Sequence, residues 1–189
     1  MHGEGLSGMA KQWLLVVAIV ASLAGGATLL AKFGPDIEGV SVGARAPDYR
    51  AVDLATGDSV SLRERYRGAV TLVNVWATWC EPCKMEMPAM ERVYQALAPH
   101  GFKIAAISID VGPPERVQAF AHDLGLTFDL LQDRSTRVQD IYQTTGVPES
   151  FLLNRDGIIV KRVIGAHDWD SPVNRGLIER LLDEPAGRS

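Results

Sequence analysis

The chain has 189 residues, 47 % apolar and 22 % charged, with a formal net charge of −4. That balance suits one folded domain with extensions and leaves no basic footprint for nucleic acid. No glycine-rich phosphate loop, HExxH pair, internal repeat or low-complexity run appears.

Residues 1–12 read as a short tail. Trp13–Ala31, WLLVVAIVASLAGGATLLA, carries no charge and is bracketed by Lys11 and Lys32. As a helix it reaches roughly 28 Å, close to the hydrocarbon thickness of a bilayer. A buried globular helix is the alternative, but this run leaves no solvent face. Cleavable signals usually have apolar regions of about 7–15 residues, so residues 13–31 are expected to be an uncleaved signal-anchor. Ala24-Gly25-Gly26-Ala27 remains a possible cleavage stretch. An N-terminal anchor ahead of one large domain usually exports that domain. The remainder, residues 32 onward, is therefore expected outside the cytoplasm.

Residues 32–45 hold Gly, Pro and acidic side chains and read as a linker. Residues 46–183 hold the folded domain, and 184–189 form a C-terminal tail. Within the domain, Tyr49–Leu54 alternates, Ala55–Asp58 turns and Ser59–Leu62 resumes, which spells a β-hairpin. Arg63–Gly68 reads as a polar connection. Ala69–Ala77, AVTLVNVWA, is a nearly continuous apolar strand, as at the centre of a covered sheet. Pro82–Leu97 has apolar residues at Met90, Val93, Tyr94 and Leu97, the spacing of a helix with one buried face. The same reading predicts strands at Lys103–Ile109, Thr127–Leu131, Ser150–Asn154 and Ile158–Val163. It predicts helices at Pro114–Leu124, Ser135–Tyr142 and Asn174–Leu182. This order implies an α/β domain with a mixed central sheet flanked by helices.

Cys80 and Cys83 are the only cysteines. They fall where the apolar strand meets the helix, and Pro82 suits a helix's first turn, where a missing N–H costs nothing. Both sulfurs then lie on one side with α-carbons about 5–6 Å apart, within the span a disulfide requires. The helix N-terminus favours a thiolate at Cys80. Cys80 is thus the expected attacking sulfur and Cys83 the resolving one. A structural staple gains little from so small a loop. A closed zinc site needs about four ligands, and His2, His100, His122 and His167 show no paired spacing. A Cu(I) site on the two sulfurs stays open, as a metallochaperone reading. No cofactor or resident metal is expected.

Trp79-Cys80-Glu81-Pro82-Cys83-Lys84, with Pro88 further along the helix, resembles the active site of thioredoxin-like proteins. Within them the chain looks most like the membrane-anchored TlpA/ResA/CcmG (DsbE) thiol-disulfide oxidoreductases. The likeness includes APDY, VNVWATWCEPC, the helix around Phe120, and GVPESF followed by NRDG. The resemblance implies a thioredoxin-like fold with an N-terminal β-hairpin extension and one N-terminal transmembrane helix. It also implies a cis Val147–Pro148 peptide facing the cysteines, where a substrate strand can pair with the Val147 backbone beside Trp79. The buried aspartate of thioredoxins themselves corresponds here to Asn74, so another group must take the Cys83 proton. Glu86, one turn beyond Cys83, matches an active-site glutamate of ResA-like proteins. Glu149 resembles a second acid of CcmG-like proteins. Read by spacing alone, the first is a solvated helix residue and the second a strand-edge charge.

Glu81, Glu86 and Glu149 are expected to cluster near the sulfurs with only Lys84 opposing, which disfavours thiolate and makes the pair a reductant. Trp76 and Trp79 are expected to pack around the site, with His167 and Trp169 as loop structure. A peroxiredoxin-like site would follow a threonine and lie away from a paired CxxC; Thr78 precedes Cys80 too closely for that. The reading is a monomeric, membrane-tethered disulfide reductase. The resemblance adds apocytochrome c, through its CxxCH, as substrate and a CcdA- or DsbD-type membrane electron donor. A general extracytoplasmic disulfide reductase or isomerase is the alternative.

Overall fold

The structure is a computed structural model that describes residues 5–33, 39–185 and 187. Residues 1–4 of the expected tail, 34–38 of the expected linker and 186, 188 and 189 of the expected C-terminal tail lie outside the described residues. The chain divides into two compact units, Met1–Ile37 and Glu38–Ser189.

In the first unit, helix α1 spans Gly5–Phe33. Side chains are described there only at 11–23, 25 and 26. Trp13, Leu14, Leu15 and Val16 follow one another around the helix and all are exposed, so no polar face is set aside for water. Over the described residues, no helix is long and apolar enough to cross a membrane.

The second unit is built on β3 (Val70–Trp76), every residue of which is buried. It pairs in parallel with β4 (Phe102–Ser108), and β4 pairs in parallel with β5 (Asp129–Gln132). On its other side β3 pairs antiparallel with β6 (Glu149–Leu153), which pairs antiparallel with β7 (Ile159–Ile164). The hairpin of β1 (Arg50–Asp53) and β2 (Ser59–Ser61) joins the far edge by pairing β1 with β5. The sheet order is β2-β1-β5-β4-β3-β6-β7, a mixed sheet with the site strand near its middle. The predicted element order holds, with two short additions, a 3₁₀ turn at Ala98–His100 and a helical turn before β3. The polar connection contains a helical turn, α2 (Leu62–Arg65), because the Ser61 hydroxyl caps it by accepting from the Glu64 N–H at 3.2 Å. Ser61-x-x-Glu64 is the spelling of a capping box.

The longer helices are α3 (Glu81–Leu97), α4 (Pro114–Asp123) and α6 (Pro172–Asp183), and α5 (Arg137–Ile141) is short. Two predicted boundaries move for identifiable reasons. Thr127 is not in a strand because Glu91 of α3 takes its N–H at 2.8 Å and also its hydroxyl. Ser135 stays outside α5 because Asp133 accepts from its N–H and its hydroxyl, and also from the Val138 N–H at 2.8 Å.

Strand alternation divides β3 between two faces. Asn74 faces α3, where its amide meets Glu86 at 2.8 Å. Val73 pairs with Phe151, whose ring packs edge-on against Tyr142, just beyond α5, at 5.1 Å. The register Val75↔Glu149 sets Pro148 beside the C-terminal end of β3, the end from which the chain turns into α3. Val147–Pro148 is a cis peptide.

Candidate active site

Between β3 and α3 the chain makes a short turn that is held from the side. Asp110, buried just beyond β4, accepts from the Thr78 N–H at 2.8 Å and the Thr78 hydroxyl at 2.6 Å. Ser108 fixes that carboxylate by donating at 2.7 Å. The turn delivers Cys80 to the N-cap of α3 in an extended conformation, and Pro82 occupies the first turn. Cys80 Sγ accepts from the Cys83 N–H at 3.2 Å, as an N-cap oxygen would. The two cysteines form a disulfide with α-carbons 5.3 Å apart, within the separation expected from the sequence. Cys80 is 4 % exposed and Cys83 fully covered. On reduction, the helix N-terminus stabilises negative charge on the sulfur at its cap.

Glu86, one turn after Cys83, is buried at 3 % exposure rather than solvated. Its Oε1 accepts from Asn74 Nδ2 at 2.8 Å, and its Oε2 accepts from the His167 backbone N–H at 3.1 Å. Burial raises its pKa from 4.5 to about 7, and these two hydrogen bonds pull the other way. A carboxyl that changes charge near neutrality can take a proton and return it. The second hydrogen of Asn74 Nδ2 goes to Ser150 Oγ at 2.9 Å.

The expected acidic cluster is not formed. Glu149 faces the other side of the sheet from Glu86, because it pairs with Val75 while Ser150 pairs with Asn74. It is neither an open acid nor a strand-edge charge. It is fully buried, bound to Arg162 Nε at 2.6 Å and to the Thr145 N–H at 2.9 Å. Glu81 is exposed and paired with Lys84 at 2.9 Å. Of these three acids, Glu86 alone has no cation partner among the described residues, so any electrostatic tilt toward reduction from this group comes from that residue.

Trp76 packs inward as expected, its ring 5.4 Å from Phe120. Trp79 does not; it is 66 % exposed at the rim of the turn. Val147 is half-buried, and no hydrogen bond among the described residues occupies its backbone. His167 does more than shape a loop, since its backbone holds Glu86. Its ring Nε2 lies 3.1 Å from Lys161 Nζ and 2.9 Å from Asn174 Nδ2. Among the described residues, no group of three or more His, Cys, Asp and Glu side chains is placed to hold a metal ion.

Sequence reasoning missed Asp110, Ser150 and Arg162. Asp110 had a usable signal, a polar pair Ser108-x-Asp110 ending a buried parallel strand, where α/β proteins place working residues. Ser150 and Arg162 become visible only once the strand register is known.

Comparison with known proteins follows this geometry. The AhpC/TSA family matches residues 42–162. The thiol-disulfide oxidoreductase ResA of Geobacillus thermodenitrificans is 37 % identical over 162 residues, covering 83 % of this chain and 91 % of that protein. Among solved structures, a thiol:disulfide interchange protein from Bacteroides sp. superposes with a TM-score of 0.65 at 25 % identity. It covers 78 % of this chain and 93 % of that one. StoA from Bacillus subtilis gives 0.57 at 26 % identity, covering 74 % and 98 %.

Proposed function

The chain belongs to the AhpC/TSA family, among thiol-disulfide oxidoreductases of the ResA type, and from that premise we propose that it is a disulfide reductase working outside the cytoplasm. The observation that carries this reading is the buried Glu86, held one turn behind a cysteine pair at a helix N-terminus.

In the proposed cycle the Cys80 thiolate attacks one sulfur of a substrate disulfide. The other substrate sulfur leaves as a thiolate and takes a proton from water. Cys83 gives its thiol proton to Glu86 and attacks Cys80 Sγ, which breaks the mixed disulfide. Two electrons have then passed to the substrate, and Cys80–Cys83 is oxidised. Glu86 returns its proton when the pair is reduced again. The substrate chain lies along Val147-Pro148, pairing with the open Val147 backbone, and rests on Trp79.

The substrate class is a protein disulfide, with the CxxCH of apocytochrome c as the specific proposal. Residues 13–31 anchor the protein in the bacterial inner membrane. Their charge-free sequence and the exposed apolar side chains described between Trp13 and Leu23 support this. In an oxidising compartment the electrons must come through the membrane, from a donor of the CcdA or DsbD type. The full chain carrying Cys83→Ala, expressed in its membrane, is the test. It is expected to accumulate apocytochrome c bound through Cys80. Capture of unrelated disulfide proteins, with normal c-type cytochromes in a deletion strain, would replace the cytochrome role with general disulfide reduction.

A further inference from the structure

A base buried this deeply must be accommodated in two forms, because its task is to gain and lose a proton. As a carboxylate, Glu86 needs donors, and the structure supplies Asn74 Nδ2 and the His167 N–H. As a carboxylic acid it carries an O–H that needs an acceptor. The His167 N–H can only donate, and so can Asn74 Nδ2. The unused capacity lies on the same side chain: Asn74 Oδ1 is fully buried and has no hydrogen-bond partner among the described residues.

We propose that the Asn74 carboxamide turns over as Glu86 changes charge, donating to the carboxylate in one orientation and accepting from the carboxylic acid in the other. A half-turn about the terminal torsion exchanges Nδ2 and Oδ1 with little change in shape. Ser150 allows the exchange because its hydroxyl serves either orientation. It accepts from Nδ2 at 2.9 Å as observed, and after the turn it rotates to donate to Oδ1. Glu86 then has a matched partner in each state, and Asn74 leaves one buried atom unpaired in each. Asn74 and Ser150 are positioning residues; neither touches the reacting sulfurs in this account.

The requirement selects residue types. An aspartate at position 74 would add a second carboxyl and couple two titrations. A leucine would leave Glu86 with one donor when charged and no acceptor when neutral. The other ionisable groups are fixed. On α3, Cys83 is held in the disulfide, Glu81 and Lys84 pair with each other in solvent, Glu91 is bound to Gln95 and the Thr127 N–H, and Arg92 is paired with Asp170. β3 and β6 present Asn74 and Ser150, which do not ionise. Lys161 of β7 shares this face but is committed to Asn174 Oδ1 at 2.7 Å and the His167 ring. The loop before α6 contributes the His167 N–H, and α6 contributes Asn174 to the His167 ring.

This inference rests on the reading that Glu86 is the proton acceptor, but it is tested separately from it. The oxidised full chain in neutral detergent, labelled with 13C at Glu86 Cδ and 15N at Asn74 Nδ2, is titrated by NMR. Disulfide bonding removes thiol titration from the measurement. The Asn74 amide protons are expected to show contacts to the Ser150 Hβ atoms above the Glu86 midpoint and to lose them below it, with the two signals sharing one midpoint. If the amide contacts persist unchanged on both sides of the Glu86 midpoint, the inference is overturned while the reductase reading survives. If Glu86→Gln reduces protein disulfides as fast as the parent, the reductase role of Glu86 falls, and the titration still reports on the amide.

Discussion

Replacing Glu86 by glutamine should flatten one limb of the stability–pH curve. The native carboxyl has a pKa raised from 4.5 to about 7, chiefly by burial. Below pH 4.5 the native and unfolded forms are both protonated, and the raised pKa carries no penalty. Between 4.5 and about 7 the unfolded chain ionises this group while the native protein retains its proton, so stability falls as pH rises. Above about 7 the loss is complete. At 1.36 kcal/mol per unit, the full loss is about 3 kcal/mol. The group is only 3 % exposed, so solvent screening takes little from this figure. Glutamine keeps the shape and cannot titrate. The assay is urea unfolding of oxidised parent and Glu86→Gln protein from about pH 4 to about pH 9, taking the difference at each pH. The difference should move by about 3 kcal/mol in favour of the variant across that window, cancelling the carboxylates common to both proteins. A difference that stays level would show that Glu86 titrates as an ordinary carboxylate, and the proton-transfer argument would lose its base.

The same substitution should slow protein-disulfide reduction by about 10²–10⁴-fold and remove the limb of the pH–rate profile near 7; steady-state rates across pH check this. Arg162→Ala leaves the fully buried Glu149 carboxylate without its cation and should cost about 3–5 kcal/mol of stability in denaturant titrations. Trp79→Ala removes an exposed ring, so stability should change by under about 0.5 kcal/mol. Its KM for a protein disulfide should rise, while reduction of a small disulfide such as oxidised glutathione stays the same.

Much of the frame was legible because the residues that define it are neighbours in sequence. The uninterrupted apolar run of β3, the helical spacing after Pro82 and the two-residue gap between the cysteines are local patterns. Together they placed the sulfurs at a helix N-terminus. What escaped notice depends on register. Spacing alone leaves Glu149 as an acid near the sulfurs or a strand-edge charge, because Arg162, a diagonal neighbour across β6 and β7, cannot be paired with it until Glu149↔Ile164 is known. Which face Glu149 takes follows from alternation against β3, again a matter of register. Burial of Glu86 was hidden for another reason. Its spacing on α3 suits core or surface equally, and the deciding partner, Asn74, is a polar residue inside an apolar strand. An uncharged amide there was a reason to look for a nearby group that needed it.

The division of labour between the two sulfurs is tested most directly by trapping each mixed disulfide. Cys83→Ala and Cys80→Ala proteins are reduced and mixed with a peptide disulfide, and the adducts are mapped by mass spectrometry. The account predicts rapid adduct formation on Cys80 in the first protein and almost none on the fully covered Cys83 in the second. Equal capture by both, or capture through Cys83 alone, would contradict it.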